Sequence, residues 1–241
     1  VFRKGKSSLK GSAILLTGPS DAGKTAIHSA LVYGKPMASH TSLQSNVSVV
    51  TLPSSGKHHR TAKLIDIPGH PRIRDQFKDH LSDAKAVIFV VDASAVARNG
   101  ASIAEYLHHI FHAITTLPPS QTVPPIVILA HKFDLVSSSA QGSALAVSRV
   151  RNTLERELEK RRSSQAGGVG VGQLGEDEGG ETEMGGLECS GPVGSGFKFK
   201  DWEGGEVEIL GTSATISNKS EDPEKAFDGL AELKQWLQEL P

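Results

Sequence analysis

The sequence predicts an α/β fold, a mostly parallel six-stranded sheet flanked by helices, and three observations carry that prediction. Short apolar runs alternate with helical stretches along most of the 241 residues, the pattern of a parallel sheet with helical crossovers. Two of the runs, AVIFVVDA (86–93) and PIVILAHK (125–132), are apolar almost throughout, as strands covered on both faces are. The first strand, SAILLTG (12–18), leads directly into GPSDAGKT (18–25) and a helix, the setting of a phosphate-binding loop.

The elements follow in order. KTAIHSALVYG (24–34) is a helix ending near Gly34. VSVVTL (47–52) and AKLIDI (62–67) are β-rich runs around the polar turn SSGKHH, a hairpin signal. RDQFKDHLSDA, ASIAEYLHHIFHAITTL and SALAVSRVRNTLERELEKRR read as helices, and EVEILGTSA (206–214) as the sixth strand. The last helix is expected to begin at Asp222-Pro223 and to carry Leu230, Leu233, Trp236, Leu237 and Leu240 on one face. A basic flank, residues 1–10, precedes one domain over 11–241. Ser163 to Gly196 holds 12 glycines and six acidic residues with no lysine or arginine. That composition predicts a disordered insertion whose deletion leaves folding and ligand affinity unchanged.

Composition removes several function classes. A net charge of −1 gives no global pull toward nucleic acid or an acidic membrane. One cysteine, Cys189, excludes an intrachain disulfide. No segment reaches the roughly 18 apolar residues a membrane span needs. The histidines do not fall at metal-ligand spacing, and the pair His108–His109 reads as a surface feature.

Four motifs carry the chemistry. GPSDAGKT fits G-x-x-x-x-G-K-[ST]. Gly18, Asp21, Ala22 and Gly23 present backbone N–H groups to phosphate, Lys24 reaches the β- and γ-phosphates, and the Thr25 hydroxyl can ligate Mg²⁺. DIPG follows a strand 42 residues after Lys24. Asp66 can hold Mg²⁺ opposite Thr25, and Gly69 can bring its backbone N–H to a γ-phosphate. AHKFD (130–134) resembles the guanine motif N/T-K-x-D: Asp134 accepts from guanine N1–H and the 2-amino group, and Lys132 lies along the base. His131 stands where that motif has asparagine, and an imidazole replaces only part of an amide's hydrogen bonding. GTSA (211–214) places Ser213 and Ala214 where backbone N–H groups meet guanine O6. The order of the four is that of the P-loop NTPases of the small-GTPase fold, so GTP/GDP with Mg²⁺ is the expected cofactor pair. A first switch must lie between Tyr33 and Asn46, with Thr41 covering the metal, while Thr51 falls in a strand pattern.

GPSDAGKT, HTSLQSN and above all LIDIPGHPRIRDQF, followed by a strand ending in VVDAS, resemble the β-subunit family of the signal recognition particle receptor, relatives of the Arf and Sar GTPases. The resemblance spans about residues 10–162 and 205–240. It implies a GTP-dependent heterodimer with the N-terminal domain of the receptor α-subunit, formed through about 35–50 and 69–82. It also implies a place on the cytosolic face of the endoplasmic reticulum membrane, protein targeting there, and only indirect contact with ribosome or translocon. Members carry an N-terminal membrane anchor, so this chain is expected to be a soluble fragment. His70 takes the position from which Ras-like enzymes orient the attacking water. It serves either partner-dependent catalysis or packing, and GTP turnover is expected to be slow. Arg72 and Arg74 are expected on the partner side. The rival readings are an Arf/Sar-like trafficking GTPase that recruits coat proteins, a translational-type GTPase domain, and an ATP-binding P-loop enzyme.

Overall fold

The computed structural model describes residues 11–52, 60–137, 141–168, 185–192, 194–214 and 228–240. Six strands form one sheet in the order β2-β3-β1-β4-β5-β6: β1 Ala13–Thr17, β2 Asn46–Leu52, β3 Arg60–Asp66, β4 Ala84–Asp92, β5 Ile126–His131 and β6 Val207–Thr212. Only β2 runs antiparallel, paired with β3 from Asn46↔Asp66 to Leu52↔Arg60; the other pairs are parallel. The expected hairpin and parallel sheet are both present.

Side chains alternate across a strand, and the two faces build two cores. Leu15, Val87, Phe89, Val91 and Ile128 face α3 (Val96–Thr115) and α4 (Gly142–Gly168). Leu16, Leu64, Ile88, Val90 and Leu129 face α1 (Lys24–Tyr33) and α5 (Ala231–Glu239). Because both faces are covered, β1, β4 and β5 had to read as unbroken apolar runs. α1 stops at Gly34, whose φ of 74° is the left-handed conformation that closes helices. α5 begins at Ala231 and buries Leu230, Leu233, Leu237 and Leu240, with Trp236 only partly covered; Asp222-Pro223 lies outside the described residues. A short helix, α2 (Phe77–Leu81), follows a 3-10 turn at Arg74–Gln76. Among the described residues no helix is long and apolar enough to cross a membrane.

The expectation of disorder from Ser163 to Gly196 fails at both ends. α4 continues to Gly168, and the chain from Gly185 onward docks on α3 and α4. Leu187, Phe197, Phe199 and Trp202 are buried. The Trp202 ring stacks on Phe111 of α3, centroids 4.0 Å apart, and Phe197 packs edge-on against Phe199 at 5.5 Å. Polar contacts fix the register: Glu159 accepts the Phe197 N–H at 2.7 Å, Arg162 donates to the Ser195 carbonyl at 2.6 Å, and Lys198 pairs with Glu155 at 2.7 Å. The composition of 163–196 gave no sign that Leu187, inside it, is buried together with the aromatic residues just beyond its C-terminal end. Residues 169–184 lie outside the described residues. His108 belongs to the same correction: it is buried, with Nε2 3.1 Å from the Gly185 carbonyl, and is no surface feature.

Candidate functional site

Parallel strands deliver their C-terminal ends to one edge of the sheet, which is where an open α/β sheet builds its crevice. Here β1, β3, β4, β5 and β6 end in the phosphate-loop motif, Asp66, Asp92, His131 and Thr212 respectively. A cavity of about 290 Å³ lies over that edge, walled by the phosphate loop from Ser20 to Thr25, by Ser39–Ser42, by Pro68–Gly69 and by Lys132. Three of the four motifs therefore converge on one space, as their order predicted, and the fourth joins them through Asp134.

Lys24, the first residue of α1, is buried and folds back over the loop, donating to the carbonyls of Gly18 (2.9 Å) and Pro19 (2.7 Å). Burial lowers its ammonium pKa to about 8, against the pull of Asp66 and Asp21. A cation held in so little water is poised to meet an anion. Gly69 packs on the loop backbone: a Cβ there would come within 2.4 Å of Pro19 C and Ser20 N. Only a residue without a side chain allows that approach.

Asp66 is fully buried. Its Oδ2 accepts the Thr25 hydroxyl at 2.8 Å, while Oδ1 is buried without a hydrogen-bond partner. Burial raises the carboxyl's pKa, against the Thr25 hydrogen bond and the charge of Lys24. A carboxylate oxygen left unpaired beside a hydroxyl suits a hard divalent cation. Among the described residues no cluster of three His, Cys, Asp or Glu could hold a metal, so such an ion would depend on ligand oxygens as well. Thr41 lines the cavity and is exposed, but the hydroxyl nearest Thr25 is that of Ser42, Oγ to Oγ1 3.3 Å.

At the far end, Asp134 Oδ1 accepts the Ser213 hydroxyl at 2.7 Å. The Ser213 N–H, expected to meet guanine O6, is spent on the Gly229 carbonyl. Lys132 has a left-handed backbone (φ 60°), as does Asp21. Its Nζ bonds the Asp21 carbonyl and Asp92 Oδ2, each at 2.7 Å. Such a conformation persists in a non-glycine residue only where neighbours over-determine it. Asp92 is the residue that sequence reasoning missed here. It ends β4 and accepts from both Ser94 N–H (2.9 Å) and Ser94 Oγ (2.6 Å), a local D-x-S turn that could have been found.

His131, in place of asparagine, is buried between two loops. Nδ1 lies 3.0 Å from Thr212 Oγ1, and the other ring edge abuts Gly23 so closely that a Cβ there would fall 2.5 Å from Cδ2. The ring thus braces the phosphate loop against β6. Burial, with Lys132 adding to it, lowers its pKa to about 4. An unfolded chain takes up that proton below about 6.5. Between about pH 6.5 and 4 the unfolded state therefore binds more protons, and stability is lost as pH falls through this window. His131→Asn is expected to remove roughly 3 kcal/mol of that acid sensitivity. Urea midpoints at pH 7 and 4.5 test it: His28 and His109, also shifted down by burial, remain in both proteins, and parallel profiles would disprove the role.

The second switch departs from expectation. His70 is exposed and outside the cavity, its Nδ1 accepting the Arg72 N–H at 3.3 Å. Arg72 is exposed, but Arg74 is buried (9% exposed) and tied to α3 through Glu105. It is not a residue on a free partner surface, because its charge and its aliphatic stem are both spent inside the fold.

Comparison with known proteins bears on this arrangement. The family model described as the signal recognition particle receptor beta subunit matches residues 9–205. The mouse signal recognition particle receptor subunit beta is 30% identical over 245 residues, covering all of this chain and 81% of that protein. Among solved structures, the mammalian SRP receptor superposes with a TM-score of 0.70 at 25% identity, covering 95% of this chain and all of that one. A GDP–Mg form of the receptor's β-subunit from Chaetomium thermophilum gives 0.61 at 25% identity, covering 96% and 98%. The fold is that of the small GTPases, and the chain belongs to the family of signal recognition particle receptor beta subunits.

Proposed function

We propose that this chain is a guanine-nucleotide switch that holds GTP or GDP with Mg²⁺ and, in its GTP form, binds the N-terminal domain of the receptor α-subunit. The observation that carries the reading is the Asp134–Ser213 pair (2.7 Å) standing on the same sheet edge as Lys24 and Asp66. A phosphate-binding end and a guanine-reading end are thus held on one rigid frame. Gly18, Asp21, Ala22, Gly23 and Lys24 hold phosphate; Thr25 and Asp66, with Thr41 or Ser42 closing over them, hold the metal. When bound, Mg²⁺ neutralises charge on the β- and γ-phosphates. Gly69 senses the γ-phosphate across its contact with Pro19 and Ser20.

The partner surface is drawn from the switch-bearing side. Leu43, in the first switch, is 72% and Val49, on the edge strand β2, 68% exposed, with Met37 of the switch and Val47 of β2 also open to solvent. Such a group on a soluble surface marks an interaction site. The working place is the cytosolic face of the endoplasmic reticulum, in co-translational targeting; ribosome and translocon are reached through the heterodimer.

The test is capture of the chain, loaded with a non-hydrolysable GTP analogue or with GDP, by the immobilised α-subunit domain. Retention of the GTP-analogue form alone is the expected result, and equal retention of both forms would overturn the switch. Lys24→Ala is expected to weaken nucleotide binding about 10²-fold, the usual cost of removing one member of a buried charge pair. Calorimetric titration with GDP measures it, and unchanged affinity would remove Lys24 from the phosphate site.

A further inference from the structure

We propose that Arg74, Glu105 and Tyr106 form a latch that keeps His70 away from the nucleotide and so sets the rate of GTP hydrolysis; this rests on the nucleotide reading above. Arg74 opens the 3-10 turn at the head of the second switch. Its guanidinium bonds Glu105 Oε1 at 2.5 Å and lies 4.9 Å above the Tyr106 ring. The Tyr106 hydroxyl donates to the Arg74 carbonyl at 3.3 Å. Consecutive residues of α3 therefore hold both the side chain and the backbone of Arg74. That helix is a firm anchor: Ile103, Ala104, Tyr106, Leu107 and Ile110 are buried in the core.

His70 moves with this residue. The N–H groups of Ile73 and Arg74 both donate to the His70 carbonyl, at 3.0 and 2.9 Å, so residues 70–74 form one closed turn. With Arg74 fastened to α3, the imidazole is carried on the solvent side, its Nδ1 occupied by the Arg72 N–H. Space for another position exists. A second cavity, about 340 Å³, separates the turn from the phosphate loop and α3, bounded by Pro19, Gly69, Pro71, Arg74, Asn99 and Ile103. A turn released from Glu105 can shift into it and bring His70 toward the γ-phosphate edge at Gly69. The three latch residues are positioning residues: none touches the reacting atoms.

The experiment is single-turnover phosphate release from the GTP-loaded chain carrying Glu105→Gln or Tyr106→Phe, which keep the shape of the wild-type side chains. Weakening the charge-assisted pair is expected to raise the released population, and with it the rate, roughly tenfold. Tyr106→Phe moves the rate in the same direction, GTP affinity stays unchanged, and amide exchange across 70–76 quickens. His70→Ala added to Glu105→Gln should return the rate to that of the wild type. An unchanged or slower rate in Glu105→Gln, or a gain that survives loss of His70, overturns the latch. A wild-type chain that retains no GTP overturns the nucleotide reading along with it; retained GTP with an unmoved rate defeats the latch alone.

Discussion

Asp134→Asn is expected to lower GTP affinity by roughly 10⁴-fold while raising that for xanthosine triphosphate. The carboxylate is an acceptor only, and guanine presents two donors, N1–H and the 2-amino group. Asp134 is exposed in the chain alone, and a bound base would cover it; an asparagine would then set its own N–H₂ against the guanine amino group and leave both unpaired, and each unmade hydrogen bond is costly. Xanthine carries an oxygen in place of that amino group, so the amide donor finds an acceptor. The local structure should survive, because Ser213 donates its hydroxyl to Asp134 Oδ1 and an asparagine oxygen accepts as well. Competition between labelled GTP and unlabelled XTP, read by equilibrium dialysis, decides the matter. A variant that still prefers GTP would mean that the base is read elsewhere, and the guanine assignment would fall with it.

The parts of this site that were legible in the sequence are those in which the backbone itself does the binding. A loop that wraps phosphate needs glycine at fixed spacing and a helix behind it, and GPSDAGKT supplies both. The sheet was legible for a related reason: burial on both faces forces β1, β4 and β5 into unbroken apolar runs. Contacts that close over long sequence distances were not legible. Thr212 reaches His131 across 81 positions, and Asp92 reaches Lys132 across 40; nothing local in GTSA or VVDAS announces either pairing. Arg74 was misread because a basic residue in a switch reads as exposed, and nothing local announces that Glu105 and Tyr106 wait on α3. Ser42 was overlooked for the simpler reason that Thr41 beside it is the residue the family pattern asks for.

The insertion shows the same limit in composition, and it carries the last prediction. Glycine and acid content argued that the stretch could be removed at no cost, yet its C-terminal border is part of the core. Trp202 is 5% exposed, stacks on Phe111 and donates its indole N–H to the Gly186 carbonyl at 2.8 Å. Trp202→Ala removes the stack, opens a cavity beside Phe111 and leaves that carbonyl without its partner. A buried large aromatic replaced by alanine costs about 3–5 kcal/mol, a large share of the roughly 5–15 kcal/mol that holds a domain folded. The urea midpoint is expected to fall accordingly. Nucleotide affinity of the folded protein should not change, because Phe111 lies some 22 Å along α3 from the helix end at Val96, at about 1.5 Å per residue. An unmoved midpoint would mean that the segment from Gly185 to Trp202 rests on the surface without stabilising it. A lower midpoint with intact GTP binding would make the segment that Trp202 fastens, which it grips at the Gly186 carbonyl, part of the core, inside a stretch that composition alone treats as one piece.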